Sequence, residues 1–217
     1  LLAVRAGDCT SSSLNALVVS ARLAWREADV LRTYASFAFQ AGAVPSRLTL
    51  PSALAKWPEI ARLAFDFFRA RFDPAAAPDA EAREEGVARA RERFHEALAQ
   101  VSVLSEDRAL RKLLGLMEAT LRTNYYRGGG ARPTVRSGGV PYISLKFDAQ
   151  KVEGGEASRL RYEVWVRSSR MEGIHLRGAK VARGGIRWSD RNDDFRTEVL
   201  GLVKTQMVKN AVIVPVG

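Results

Sequence analysis

The sequence predicts an α + α/β protein: an N-terminal helical domain over residues 1–128, a Gly-rich linker over 129–139 and the first part of an α/β domain over 140–217. Three observations carry this. From Ser11 to about Tyr126, apolar residues return every three or four positions, the spacing of amphipathic helices. At 127-RGGGARPTVRSGG-139, five glycines and a proline interrupt the pattern, a composition that cannot continue a helix and makes a joint. Beyond it, VPYISLKFD, RYEVWVRSS and IHLRGAKVA are β-branched and aromatic runs with partial alternation, after which helical spacing returns.

Taken in order, Leu14, Leu17 and Val18 mark a short first helix. Trp25, Ala28, Leu31, Arg32 and Ala35 mark a second, which fades at Ala41 and Gly42. Pro45, Pro51 and Pro58 punctuate the connection that follows, and Pro58 suits the first turn of a helix carrying Ile60, Leu63, Ala64 and Phe67. The stretch FDPAAAPDAEAREE reads as a loop and an acidic helix start, leading into a long helix from Arg83 to Leu104 with a solvated charged face. Ser105, Glu106 and Asp107 are expected to cap another, running through Leu110, Leu113, Leu114, Met117 and Leu121. After the linker the three runs read as strands of one sheet. Asp193 to about Asn210 then reads as a helix, and 211-AVIVPV-216 as a buried strand.

Composition narrows the function. A chain of 217 residues with 47% hydrophobic content buries a sizeable core, which excludes general disorder. No apolar run approaches the roughly 20 residues that span a bilayer, and the first residues lack a signal-peptide pattern, so no membrane partner is expected. The single Cys9 has no disulfide or CxxC partner, a usage that fits a reducing cytoplasm. His95 stands among Arg91, Glu92, Arg93 and Glu96 without a second ligand at metal spacing, so a surface or packing role is expected and no metal site. Leu1 stands where an initiator methionine would, and the chain closes on VPVG without a polar tail, so it is expected to be part of a longer protein.

Charge supplies the first functional clue. The 34 Lys+Arg against 24 Asp+Glu give +10, and the excess is uneven: residues 1–130 hold 18 basic and 15 acidic groups, residues 131–217 hold 16 and 9. A basic second half attracts anions. Nucleic acid is set aside because the chain has no RNP-like aromatic pair, zinc-finger spacing or dense Lys/Arg tract. A small anionic substrate fits better.

The last helix shows where such a substrate could bind. With Phe195 at zero on a wheel of about 100° per residue, Val199, Leu202, Gln206 and Lys209 fall within about 40° either side. Two polar residues thus share an apolar edge. Either both reach water from the helix end, as lysine commonly does, or they face a ligand. Nearby, 183-RGGIR-187 sets two glycines, which permit a tight turn or close approach, between Arg183 and Arg187, whose guanidinium forks suit carboxylates. Two cationic groups and a carboxamide beside a glycine turn would suit a dicarboxylic acid.

The run RGGIRWSDR followed by DFRTEVLGLVKTQMVKNAVIVPVG resembles the large bacterial NAD-specific glutamate dehydrogenases and, more distantly, the small hexameric glutamate dehydrogenases. The likeness is densest over 171–217, and RTNYY at 122–126 and ISLKFD at 143–148 share it. It implies that the α/β part is the start of a glutamate dehydrogenase-like substrate domain. It also implies an NAD-dependent oxidative deamination of L-glutamate to 2-oxoglutarate and ammonia, in a cytoplasmic homo-oligomer of the full-length enzyme. In the small enzymes, a Lys-Gly-Gly-Leu/Ile-Arg motif and a Gln-x-x-Lys-Asn motif hold the substrate carboxylates. Carried over, Gln206 and Lys209 take the α-carboxylate, and Gly184 and Gly185 let the substrate approach. Arg183 replaces the lysine assigned to the side-chain carboxylate, which keeps the charge and changes reach and geometry. The family's catalytic lysine and aspartate and its NAD-binding Rossmann domain are expected beyond Gly217, so the chain alone is expected to be inactive. The alternative, from another class, is a non-catalytic anion-binding or regulatory module.

Overall fold

The computed structural model describes residues 1–127, 142–152, 160–178 and 189–208, the last four of these by backbone alone. Eight α-helices are described: α1 Leu2–Arg5, α2 Leu17–Ser20, α3 Trp25–Gln40, α4 Thr49–Lys56, α5 Pro58–Phe72, α6 Ala80–Leu98, α7 Leu104–Ala119 and α8 Phe195–Val208. Four strands join them: β1 Thr120–Thr123, β2 Tyr142–Asp148, β3 Tyr162–Ser168 and β4 Glu172–Arg177.

Local chemistry sets most helix ends. The Glu27 carboxylate accepts from the Ala24 N–H at 2.9 Å, satisfying one of the free donors at the start of α3. At its other end Gly42 adopts φ +72°, Ala43 N–H donates to Ala38 O at 2.9 Å and Gly42 N–H to Phe39 O at 3.0 Å. This is a Schellman stop, which needs a left-handed residue that glycine supplies without strain. Pro58 occupies the first turn of α5 as expected. Pro51 does the same in α4, a helix the proline spacing had made look like connection. First-turn amides have no intrahelical acceptor, so a proline there costs no hydrogen bond.

Two boundaries differ from expectation. The long charged helix stops at Leu98 instead of Leu104, and α7 begins at Leu104, so Ser105, Glu106 and Asp107 lie in its first turn instead of capping it. There Glu106 accepts from Lys56 Nζ at 2.8 Å and Trp57 Nε1 at 2.8 Å. The helix also ends before Leu121. Thr120 opens β1, its hydroxyl donating to Leu116 O at 2.8 Å and lying 2.8 Å from the Tyr34 hydroxyl.

The sheet runs β1-β2-β3-β4, each neighbour antiparallel. The described residues therefore combine helices with one antiparallel sheet, the mixed class expected; the α/β layering expected for the second half extends into residues outside those described. The three residues 169–171 that join β3 to β4 can only turn the chain back, since a parallel pairing needs a long crossover. The expected linker 129–139 and the expected strand 211–216 lie outside the described residues.

Alternation decides which side of the sheet is covered. Ile143, Leu145 and Phe147 on β2, and Trp165 on β3, join the same apolar cluster as Tyr34, Phe37, Phe67, Phe68 and Leu113. Phe37 stacks on Phe147 with ring centroids 4.2 Å apart and lies 5.7 Å from Trp165. Helix α3 is thus the element around which both halves of the chain close. Among the described residues no helix is long and apolar enough to cross a membrane.

Candidate functional site

Helix α8 is held at its first turn by polar pins from two distant elements. Gln40, the last residue of α3, uses both ends of its amide: Nε2 donates to Asn192 O at 2.8 Å, and Oε1 accepts from the Arg196 N–H at 3.2 Å. The Arg196 side chain turns inward onto β3, its Nε donating to Glu163 Oε2 at 2.9 Å and its Nη2 to Glu163 Oε1 at 2.7 Å. Arg196 is 3% exposed and Glu163 fully buried. Arg47, after α3, adds a third pin by donating to Asn192 O, to Asp193 Oδ1 at 2.9 Å and to Glu172 Oε2 at 3.4 Å. Phe195 stacks on Trp165 at 5.5 Å between these contacts.

A buried ion pair of this kind adds little net stability, because desolvating both charges offsets most of their attraction. What it adds is geometry. A two-pronged guanidinium–carboxylate contact fixes direction as well as distance, so the first turn of α8 has one orientation against the sheet.

A second buried network sits beside the first. Asp29 Oδ1 accepts from Arg32 Nη1 at 2.6 Å and from Arg167 Nη1 at 3.1 Å, and Arg167 Nε lies 3.5 Å from Glu172 Oε1. Burial lowers the Arg167 guanidinium below its ordinary value, and the Asp29 carboxylate opposes that shift. Burial likewise raises the neighbouring Cys9 thiol, against the pull of Arg32, which keeps it protonated at neutral pH. Glu172 closes the chain of contacts by binding both Arg167 and Arg47. The exposed His95 stands apart, and among the described residues no group of His, Cys, Asp and Glu is placed to hold a metal.

Of the residues expected to bind substrate, Arg183, Gly184, Gly185 and Lys209 lie outside the described residues. Gln206 lies within α8, one turn after Leu202. The inner face of that helix includes Phe195 and Val199, as expected, but not Leu202. Val199, Leu200 and Val203 pack against Ala149, Leu160 and Leu176, Phe195 packs on the main core, and Arg196 is buried. Leu202 is 38% exposed. At about 100° per residue the buried face centres about 70° from Phe195, not on the line through Phe195 and Leu202.

The residues that reasoning from sequence missed are Gln40, Glu163 and Arg196. One signal was present: alternation in YEVWVRS places Glu163, Trp165 and Arg167 on one side of β3, two charges in phase with a tryptophan. Charges in phase with a core aromatic require buried partners.

The chain is similar over residues 93–217 to the family described as bacterial NAD-glutamate dehydrogenase, catalytic domain, and over residues 9–74 to glutamate dehydrogenase, helical motif 3. Among curated proteins it is 44% identical over 212 residues to an NAD-specific glutamate dehydrogenase of Halomonas elongata, covering 98% of this chain and 13% of that protein. Enzymes of the same name from Pseudomonas aeruginosa and Mycobacterium tuberculosis match at 45% and 46% identity over 97% and 94% of the chain, which spans 13% and 12% of their length. With one family model covering more than half of it, and relatives of this identity matching nearly all of it, the chain belongs to the bacterial NAD-glutamate dehydrogenases.

Proposed function

We propose that this chain supplies one wall of the glutamate site in an enzyme that oxidatively deaminates L-glutamate to 2-oxoglutarate and ammonia with NAD as hydride acceptor. The observation that carries it is the orientation of α8. The helix is pinned to α3 and β3 by its first turn, while Leu202 on its other side is exposed. An anion reaching that side would meet a carboxamide at Gln206 and a cation at Lys209. Because QMVKN resembles the family's carboxylate-binding motif, these two would take the α-carboxylate. Arg183 would take the side-chain carboxylate, and Gly184 and Gly185 would let the substrate come close to the backbone.

NAD does not fit the described part of this chain. Its four strands form an antiparallel meander, whereas dinucleotides bind at the strand ends of parallel βαβ units. The cofactor is assigned to another part of the complete enzyme. What these residues contribute is binding and orientation of the substrate.

Lys209→Ala in the complete enzyme tests the proposal. Loss of a charge-assisted hydrogen bond to a carboxylate costs about 1.5–3 kcal/mol, which is roughly 10- to 150-fold in glutamate binding. Steady-state kinetics with glutamate varied, beside a thermal melt, read the two effects separately. An unchanged Michaelis constant and turnover would remove this helix from the substrate site.

A further inference from the structure

A cavity of about 810 Å³ opens between the loop after α3, the start of α4, the outer side of α7 and Lys151. That is the size of pockets that enclose a small organic ligand. Among the described residues none of α8 lines it.

Its walls are chemically divided. Val44, Ala109, Leu116 and Ala119, all buried, give it an apolar floor. Around that floor stand Arg108, Arg111, Lys112 and Lys151 with a single carboxylate, Glu118. The carboxylate is engaged, accepting from Arg91 Nε at 2.7 Å, and Arg111 is held by Asp107 at 2.9 Å. Arg108 and Lys151 make no ion pair or hydrogen bond among the described residues. Two cations without counter-charge beside an apolar hollow favour an anion over a neutral molecule.

Gly115 supplies the independent observation. It sits inside α7 and lines the cavity, and a Cβ built on it meets no atom within 4 Å. Glycine is the poorest helix former after proline, so an interior glycine weakens α7. Neither a tight neighbour nor a special backbone angle requires it here. What its missing side chain leaves is room in the cavity.

We propose that this cavity binds a small organic anion, an apolar or aromatic body seated against α7 at Gly115 with its carboxylate or phosphate head met by Arg108 and Lys151. The hydrophobic body accounts for the floor and the head for the two cations. A free inorganic anion would leave the floor unused, and a neutral body would forgo a contact with the two exposed cations.

Calorimetric titration of the intact protein with indole-3-acetate and with phenyl phosphate, matched against neutral indole-3-acetamide, tests this. At least one of the anions should bind at one site per chain, about ten-fold or more tighter than the amide, the factor that one charge-assisted contact provides. Which anion binds decides between a carboxylate and a phosphate head. Gly115→Leu, which projects a side chain into open space, should abolish that binding. The double variant Arg108→Ala/Lys151→Ala should weaken it about ten-fold or more with the melting temperature kept, and it decides the matter should Gly115→Leu fold poorly. Equal binding of the anions and the amide overturns the proposal. So does anion binding that survives both variants, since that binding lies elsewhere, as it would at the flank of α8.

Discussion

Helices α3 and α8 are each anchored by a buried arginine, but the surroundings of the two anchors differ. In α3, Arg32 shares the Asp29 carboxylate with Arg167 and is ringed by Asn15, Ser12 and Cys9, and eleven residues of the helix are buried, covering nearly every face. In α8, the Arg196 guanidinium meets a single carboxylate among the described residues, Glu163, and Arg196 is the only residue among 195–204 that is buried outright. The enclosed helix organises the core. The pinned one keeps its direction while Thr197 and Leu202 stay exposed, the fixed backbone that the proposed wall of a binding cleft would need.

That contrast can be broken most directly at Glu163. Glu163→Ala leaves Arg196 buried without its counter-charge, a change that costs about 3–5 kcal/mol. Because most residues of α8 are only partly buried, part of the loss should show as local opening. Amides of 196–203 should exchange faster with solvent while those of α3 keep their protection. Replacing the pair together, Glu163→Leu with Arg196→Met, should recover most of the stability, since an apolar pair of similar volume avoids desolvating two charges. Equal acceleration of exchange in both helices would mean that they unfold as one unit and that the distinction between them is only geometric.

A smaller effect is expected on the enclosed side. Tyr34→Phe removes the hydroxyl that meets Thr120 Oγ1 at 2.8 Å, while Thr120 keeps its bond to Leu116 O. Urea unfolding should register a loss of about 1 kcal/mol, the usual net worth of one buried hydrogen bond. No change would mean that the junction of α7 and β1 does not need its tie to α3.

The smallest effect sharpens the assignment of the exposed side. Leu202→Gln should shift stability by no more than about 0.5 kcal/mol, as exposed substitutions do. Val203→Gln, one residue on but packed toward Leu160 and Leu176, should cost about 1 kcal/mol or more. If the two substitutions cost the same, α8 is seated about its axis differently from the orientation described.

Much of this was legible beforehand because it is local. Trp25–Gln40 follows from apolar spacing and from the stop at Gly42, and Pro58 marks the start of α5 because proline fits only a first turn there. The strands Tyr142–Asp148 and Tyr162–Ser168 follow from alternation. The candidate site is of another kind: Arg183, Gly184, Gly185, Gln206 and Lys209 are proposed from motif likeness, which suggests chemistry without placing a side chain.

The inner face of α8 is where local pattern fails. A wheel drawn from sequence assigns Leu202 inward and Arg196 outward, because it counts an arginine as solvated. By itself the sequence determined most of the helices, the strands after residue 140 and the family, since spacing, turn residues and motifs are properties of neighbours along the chain; α4 and β1 it did not. The tertiary structure alone decided which way α8 faces. A charge is buried only when a partner is desolvated with it, and Glu163 stands 33 positions away from Arg196, on a strand whose own placement depends on Phe37 stacking against Phe147.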